Sequence, residues 1–133
     1  MDKNNATPNT FLAVFLGGKT TPKMKAWDAL PEAQRQEKMK EGMTAWHAWC
    51  DKHKAAIVEM GGPLGKTKKI SPSGIEDISN VLCAFMVIRA DSQEAAAKLF
   101  EKHPHFALFP GESVEVMPIL PIPGADSACP SKP

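Results

Sequence analysis

Thr10-Phe-Leu-Ala-Val-Phe-Leu16 and Val81-Leu-Cys-Ala-Phe-Met-Val-Ile88 are apolar at every second position and at the positions between. A strand covered on one side alternates apolar and polar residues. These runs do not alternate, so each predicts a strand with an apolar layer above and below. The remaining chain supplies helices for one layer only. The shortage points to a second copy of the protein.

Working outward from the first run, Gly17-Gly18 ends it, and a polar link runs from Lys19 to Leu30. Pro31 suits a first helical turn and is followed by strong helix formers from Glu32 to Lys40. Met43, Trp46, Trp49, Cys50, His53, Ile57 and Met60 recur at three- and four-residue steps, which predicts one helical face as far as Met60. Gly42 is a candidate break or kink, and Gly61-Gly62-Pro63 is a strong stop. A short strand is expected at 65–70, carrying Lys66, Lys68 and Lys69 as edge protection. Ser71-Pro-Ser-Gly74 has turn chemistry.

After the second apolar run, Asp91 and Glu94 form a capping pattern for a short helix with Ala95, Ala96, Leu99 and Phe100 on its packing face. Ser113 to Met117 alternates and reads as the last strand. The order β-α-β-β-α-β is an α+β, ferredoxin-like split βαβ: an antiparallel sheet of order 4-1-3-2 with helices on one face. The two central positions then fall to the two runs that are apolar on both sides. Residues 1–9 read as a flexible start, 10–119 as the domain, and 120–133, with Pro121, Pro123, Pro130 and Pro133, as a proline-rich tail.

Sixteen basic and fifteen acidic residues leave a net charge of +1, which argues against nucleic acid or an acidic membrane surface as partner. No run approaches the roughly 18 apolar residues of a membrane helix. The first residues are polar and lack a secretory pattern, and Cys50, Cys83 and Cys129 form no CxxC pair. A cytoplasmic protein is expected. Met60-Gly-Gly-Pro-Leu-Gly-Lys-Thr67 is not a phosphate loop, because Met60 stands where that motif needs glycine and the stretch follows no strand.

The split topology gathers one end of the sheet into a candidate site. His103-Pro104-His105, Phe109, Trp27, Asp28, Trp46 and the Gly17-Gly18 turn meet there. His105 and His103 are candidates for proton transfer, with Asp28 to orient them, and His53 is a further candidate if it faces a cavity. Trp46, Trp49, Phe109 and Trp27 are the candidate pocket walls. The plainer alternatives are that a histidine caps the second helix and that His53 and the tryptophans fill core. Two histidines do not make a metal site, so neither metal nor cofactor is expected.

Trp46…Trp49…His53…Gly61-Gly-Pro-Leu-Gly65, Gly74, Asn80, Ala90-Asp-Ser-Gln-Glu-Ala-Ala96, His103-Pro-His105 and Val114-Glu-Val-Met-Pro-Ile119, in that order, resemble the YCII-related family and its DGPF-type relatives. The resemblance covers about Phe11 to Ile119. It implies a dimeric α+β barrel that joins sheet face to sheet face, and a cytoplasmic enzyme or small-molecule binder. One branch looks like a dehydrochlorinase of a chlorinated hydroxyquinol, and another has a proposed histidine–aspartate pair. This chain has no Asp-Gly-Pro-Phe segment in its hairpin, and Lys19 and Thr20 stand where a histidine follows strand one. The readings are a small-molecule enzyme with histidine acid–base chemistry, a non-catalytic binding module, or, by analogy of fold, a haem- or metal-dependent monooxygenase-like barrel.

Overall fold

The computed structural model describes residues 9–123. In chain order its elements are β1 (Thr10–Leu16), α1 (Pro22–Asp28), α2 (Glu32–Lys52), a 3-10 turn (Lys54–Ala56), β2 (Ile57–Pro63), β3 (Thr67–Ser71), β4 (Gly74–Ile78), β5 (Leu82–Arg89), α3 (Gln93–Lys98), α4 (Pro104–Ala107) and β6 (Ser113–Pro118). The expectations for residues 1–8, for 124–133 and for Cys129 lie outside the described residues.

β1 and β5 are central, as their composition requires. The antiparallel sheet has the order β2-β5-β1-β6, the expected 4-1-3-2 arrangement. Phe11 lies opposite Ile88, Ala13 opposite Met86 and Phe15 opposite Ala84. Phe11, Ala13, Phe15, Met86 and Ile88 are buried in one cluster with Trp49 and Cys50 of α2 and Ala96 of α3, so the helices cover that face. The intervening residues Leu12, Val14, Phe85 and Val87 are only half-buried, and Met117, opposite Leu12, is exposed. The second face is therefore apolar and open among the described residues.

The second sheet strand is not the lysine-bearing one. α2 ends at Lys52, eight residues before the expected Met60, and Ile57–Pro63 pairs with β5. Helical spacing misled because Ile57 and Met60 continue the stripe by coincidence. β-branched Ile57 and Val58 and a ladder with β5 outweigh the helix propensity of Ala55 and Ala56. Gly61 takes a φ of +65° where the strand shifts register, and a Cβ there would lie 1.9 Å from the Phe85 carbonyl oxygen. Only glycine fits.

Thr67–Ser71 instead pairs with Gly74–Ile78 as a separate ribbon, turned at Pro72-Ser73. The ribbon prolongs the β2–β5 ladder beyond the sheet: the Leu64 N–H donates to Cys83 O at 2.8 Å, and Asn80 Nδ2 donates to Thr67 Oγ1 at 3.3 Å. Lys68 and Lys69 pair across it with Asp77 (2.6 Å) and Glu76 (3.8 Å).

Three local findings differ from expectation. The link after β1 contains α1, whose first turn Thr21 caps by accepting from Met24 N, with Pro22 at the first position. α3 is capped by Ser92, not Asp91; its side chain accepts from Ala95 N at 3.1 Å. Gly42 does not break α2, which runs unbroken to Lys52; it makes room for Phe109. No described helix is long and apolar enough to cross a membrane.

Candidate functional site

The site is built at the end of β1 by the segment Phe100–Gly111. His103 starts α4 by capping it: its Nδ1 accepts the backbone N–H of His105 at 3.0 Å. His103 therefore caps the start of a helix, not the end of α3. The bond also fixes its tautomer, leaving the ring proton on Nε2.

That Nε2 is buried with no hydrogen-bond partner among the described residues. The ring is 0% exposed and stands edge to face against Trp46 and Trp49, each with centroids 4.6 Å away. Burial, and then the neighbouring His105 and His53, lower the His103 pKa to about 3. The imidazole is neutral throughout the physiological range.

His105 is arranged differently. Its Nε2 lies 2.8 Å from Leu16 O; a carbonyl only accepts, so Nε2 carries the proton and Nδ1 is the basic nitrogen. Gly111 presses against the same ring. Its N–H donates to His105 O at 2.9 Å, and a Cβ at 111 would fall 2.3 Å from His105 Cε1 and Nε2. From α1, Lys23 Nζ donates to Phe106 O and to Gly111 O, at 2.5 and 3.0 Å, tying down both ends of the turn. Burial lowers the His105 pKa, and Lys23 adds to the effect, against the raising influence of the Leu16 bond.

His105 lines a cavity of about 630 Å³ between α2 and the β2–β5 side of the sheet. Trp46, Met43 and Phe109 form one wall, Met60, Cys83 and Met86 the other. Phe109 reaches this wall by lying against Gly42 and is flanked by Trp27 and Trp46 at 6.0 and 6.1 Å. Such a mainly apolar cleft with few polar groups has the size and character of a small-ligand site. Burial raises the pKa of Cys83 and, with some help from Asp51, that of Cys50, so both thiols stay protonated.

The structure thus brings His105, Trp46 and Phe109 together around one cavity. His103 sits behind them, sealed from it. Trp49 is core: its indole N–H donates to Leu99 O at 3.0 Å, and its ring stacks on Phe100. His53 lies at the end of α2, 4.6 Å from Trp49, its pKa lowered by burial and by Lys52, and does not line the cavity. Trp27 backs Phe109 without reaching the cavity. Asp28 is exposed at the end of α1 and makes no side-chain bond to a histidine among the described residues; its backbone carbonyl accepts from Arg35. The helix that carries Asp28 turns that carboxylate outward and delivers Lys23 to the site.

Sequence reasoning missed Lys23, Met43, Cys83 and Asp51. Thr21-Pro22 was a legible signal for α1, and hence for Lys23 on a helix. Nothing local marks a contact across more than 80 residues. Among the described residues, no three histidine, cysteine or acidic side chains are grouped to hold a metal ion.

No family model matches the chain, and no curated protein matches it. Among solved structures it is similar to 5-chloro-2-hydroxyhydroquinone dehydrochlorinase from Burkholderia phenoliruptrix AC1100, determined in complex with 2,5-dihydroxybenzoquinone. The two share 17% identity at a TM-score of 0.48, over 80% of this chain and 89% of that one.

Proposed function

We propose that this protein binds a small organic molecule in the cleft between α2 and the sheet and acts on it by acid–base chemistry, with Nδ1 of His105 as the proton acceptor. One observation carries the reading: His105 lines the cavity and its Nε2–H is committed to Leu16 O, which leaves Nδ1 as a neutral, basic nitrogen on a ring set in a mainly apolar lining. A base must be unprotonated to work, and burial favours that form. His103 sets the position of His105 through its Nδ1 and does not itself exchange protons with a ligand.

The working unit in this reading is a homodimer closed through the open sheet face. Leu12, Val14, Phe85 and Val87 are already half-buried, so covering them gains each roughly half of the about 1.5–3 kcal/mol of full burial, a contribution that favours association. Membership of the YCII-related family, suggested by the ordered motifs from Trp46 to Ile119, belongs to the same reading. Free Cys50 and Cys83 support a reducing, cytoplasmic setting.

The test is a fragment screen by ¹H–¹⁵N NMR, with His105→Asn as the comparison. Hits are expected to shift His105 and Trp46 resonances, and hydroxyl-bearing hits are expected to bind His105→Asn at least several-fold more weakly. Hits that bind elsewhere, or that bind both proteins equally, defeat the proton-acceptor assignment.

A further inference from the structure

The charge of the cavity wall narrows what the cavity can hold. Among the described residues no lysine or arginine lines it, and Asp51 is the single carboxylate that does. Lys23, which reaches the turn beside His105, is committed to the carbonyls of Phe106 and Gly111. Asp51 belongs to the last turn of α2, where carbonyl groups concentrate the negative end of the helix dipole. His47, one turn earlier on the same wall, can donate or accept.

The other polar groups favour the same kind of guest. His105 has spent its one N–H on Leu16 O, so its remaining capacity is to accept. The Cys83 thiol donates to Gly17 O at 3.5 Å. Trp46 lines the cavity with an uncharged indole, which cannot neutralise an anion. A carboxylate or phosphate entering here meets no fixed positive charge and is repelled by Asp51. A protonated amine finds a carboxylate at a helix C-terminus and an uncharged, largely apolar lining.

Accepting that the cleft is a ligand site, we propose that it selects a molecule with an apolar, ring-sized body and a cationic amine head, the head pairing with Asp51 at the cavity mouth. Asp51 then decides specificity by charge, while the sulfur and aromatic walls accept the body by shape.

The experiment compares three probes of one shape, 4-phenylbutylamine, 4-phenylbutan-1-ol and 4-phenylbutanoate, by calorimetry on the full chain at pH 7.5. The amine is expected to bind about tenfold more tightly than the acid, with the alcohol between, as an attraction and a repulsion at a partly solvated carboxylate combine. Asp51→Asn, with Asp51→Ser beside it, is expected to bring amine and acid to within about twofold. The charge assignment is overturned if the acid binds the native protein as well as the amine, or if the preference survives in both variants. If the alcohol and the amine both fail to bind, the ligand-site reading falls, and this inference with it.

Discussion

Gly42 sits inside α2, and the space left by its missing side chain is where Phe109 lies. A Cβ at that position would stand 2.6 Å from Phe109 Cζ, 2.7 Å from Cε2 and 3.1 Å from Cε1. Two opposed terms govern Gly42→Ala. Alanine in a helix interior gains about 1 kcal/mol over glycine. A methyl group forced against a packed ring costs about 1–3 kcal/mol. Trp27 and Trp46 flank the ring on two sides and limit how far it can swing. The second term wins, and Gly42→Ala is expected to destabilise the protein by about 1 kcal/mol net. Phe109→Leu removes all three clashing atoms. In that background Gly42→Ala is expected to stabilise by about 1 kcal/mol, so the sign reverses. Urea unfolding of the native protein, both single variants and the double variant measures the coupling, expected near 2 kcal/mol. An equal effect of Gly42→Ala in both backgrounds refutes the packing of Phe109 on α2.

Three further outcomes follow from the same geometry. The pKa of His103 lies near 3 when folded and near 6.5 when unfolded. The unfolded chain therefore binds the extra proton between those values, so stability is complete above about pH 6.5 and falls by on the order of 4 kcal/mol as the pH drops to 3; unfolding between about pH 4 and 6 is expected to show a slope about one proton shallower in His103→Phe. Lys23→Met removes a positive charge near His105 and frees the Phe106 and Gly111 carbonyls, so the His105 pKa, read from imidazole NMR shifts, is expected to rise and the Gly111 amide to exchange faster; an unmoved pKa counts against the clamp. Val87→Lys puts a charge on the open sheet face, and sedimentation is expected to show a native dimer and a folded monomeric variant. A native monomer at tens of micromolar ends the dimer reading.

Much of the fold was legible because two signals agreed. Unbroken apolar runs marked β1 and β5 as central, and the element order independently put them there. The second strand was illegible for a physical reason. Ile57 and Met60 sit at helical distance from His53, and only pairing with β5, more than 20 residues away, makes them a strand. Of the site, His105, Trp46 and Phe109 could be placed because the topology returns the 103–109 segment to the end of β1. The division of labour between His103 and His105 could not, since it rests on which ring nitrogen meets which backbone atom. Asp28 looked suited to orient a histidine from its type and nearness alone; the turn of α1 that points it away is not written in the local sequence.

The ribbon of β3 and β4 leaves the sheet between two strands that are already neighbours. Every residue of Gly74–Ile78 is exposed, and Ile70 and Ile75 are 73% and 70% exposed. No buried side chain of the main sheet depends on it, so the segment is modular: it can be trimmed to a tight turn, or spliced to a fluorophore or affinity tag, without disturbing the body that carries His105. It is a natural handle for immobilising the protein with its cleft intact.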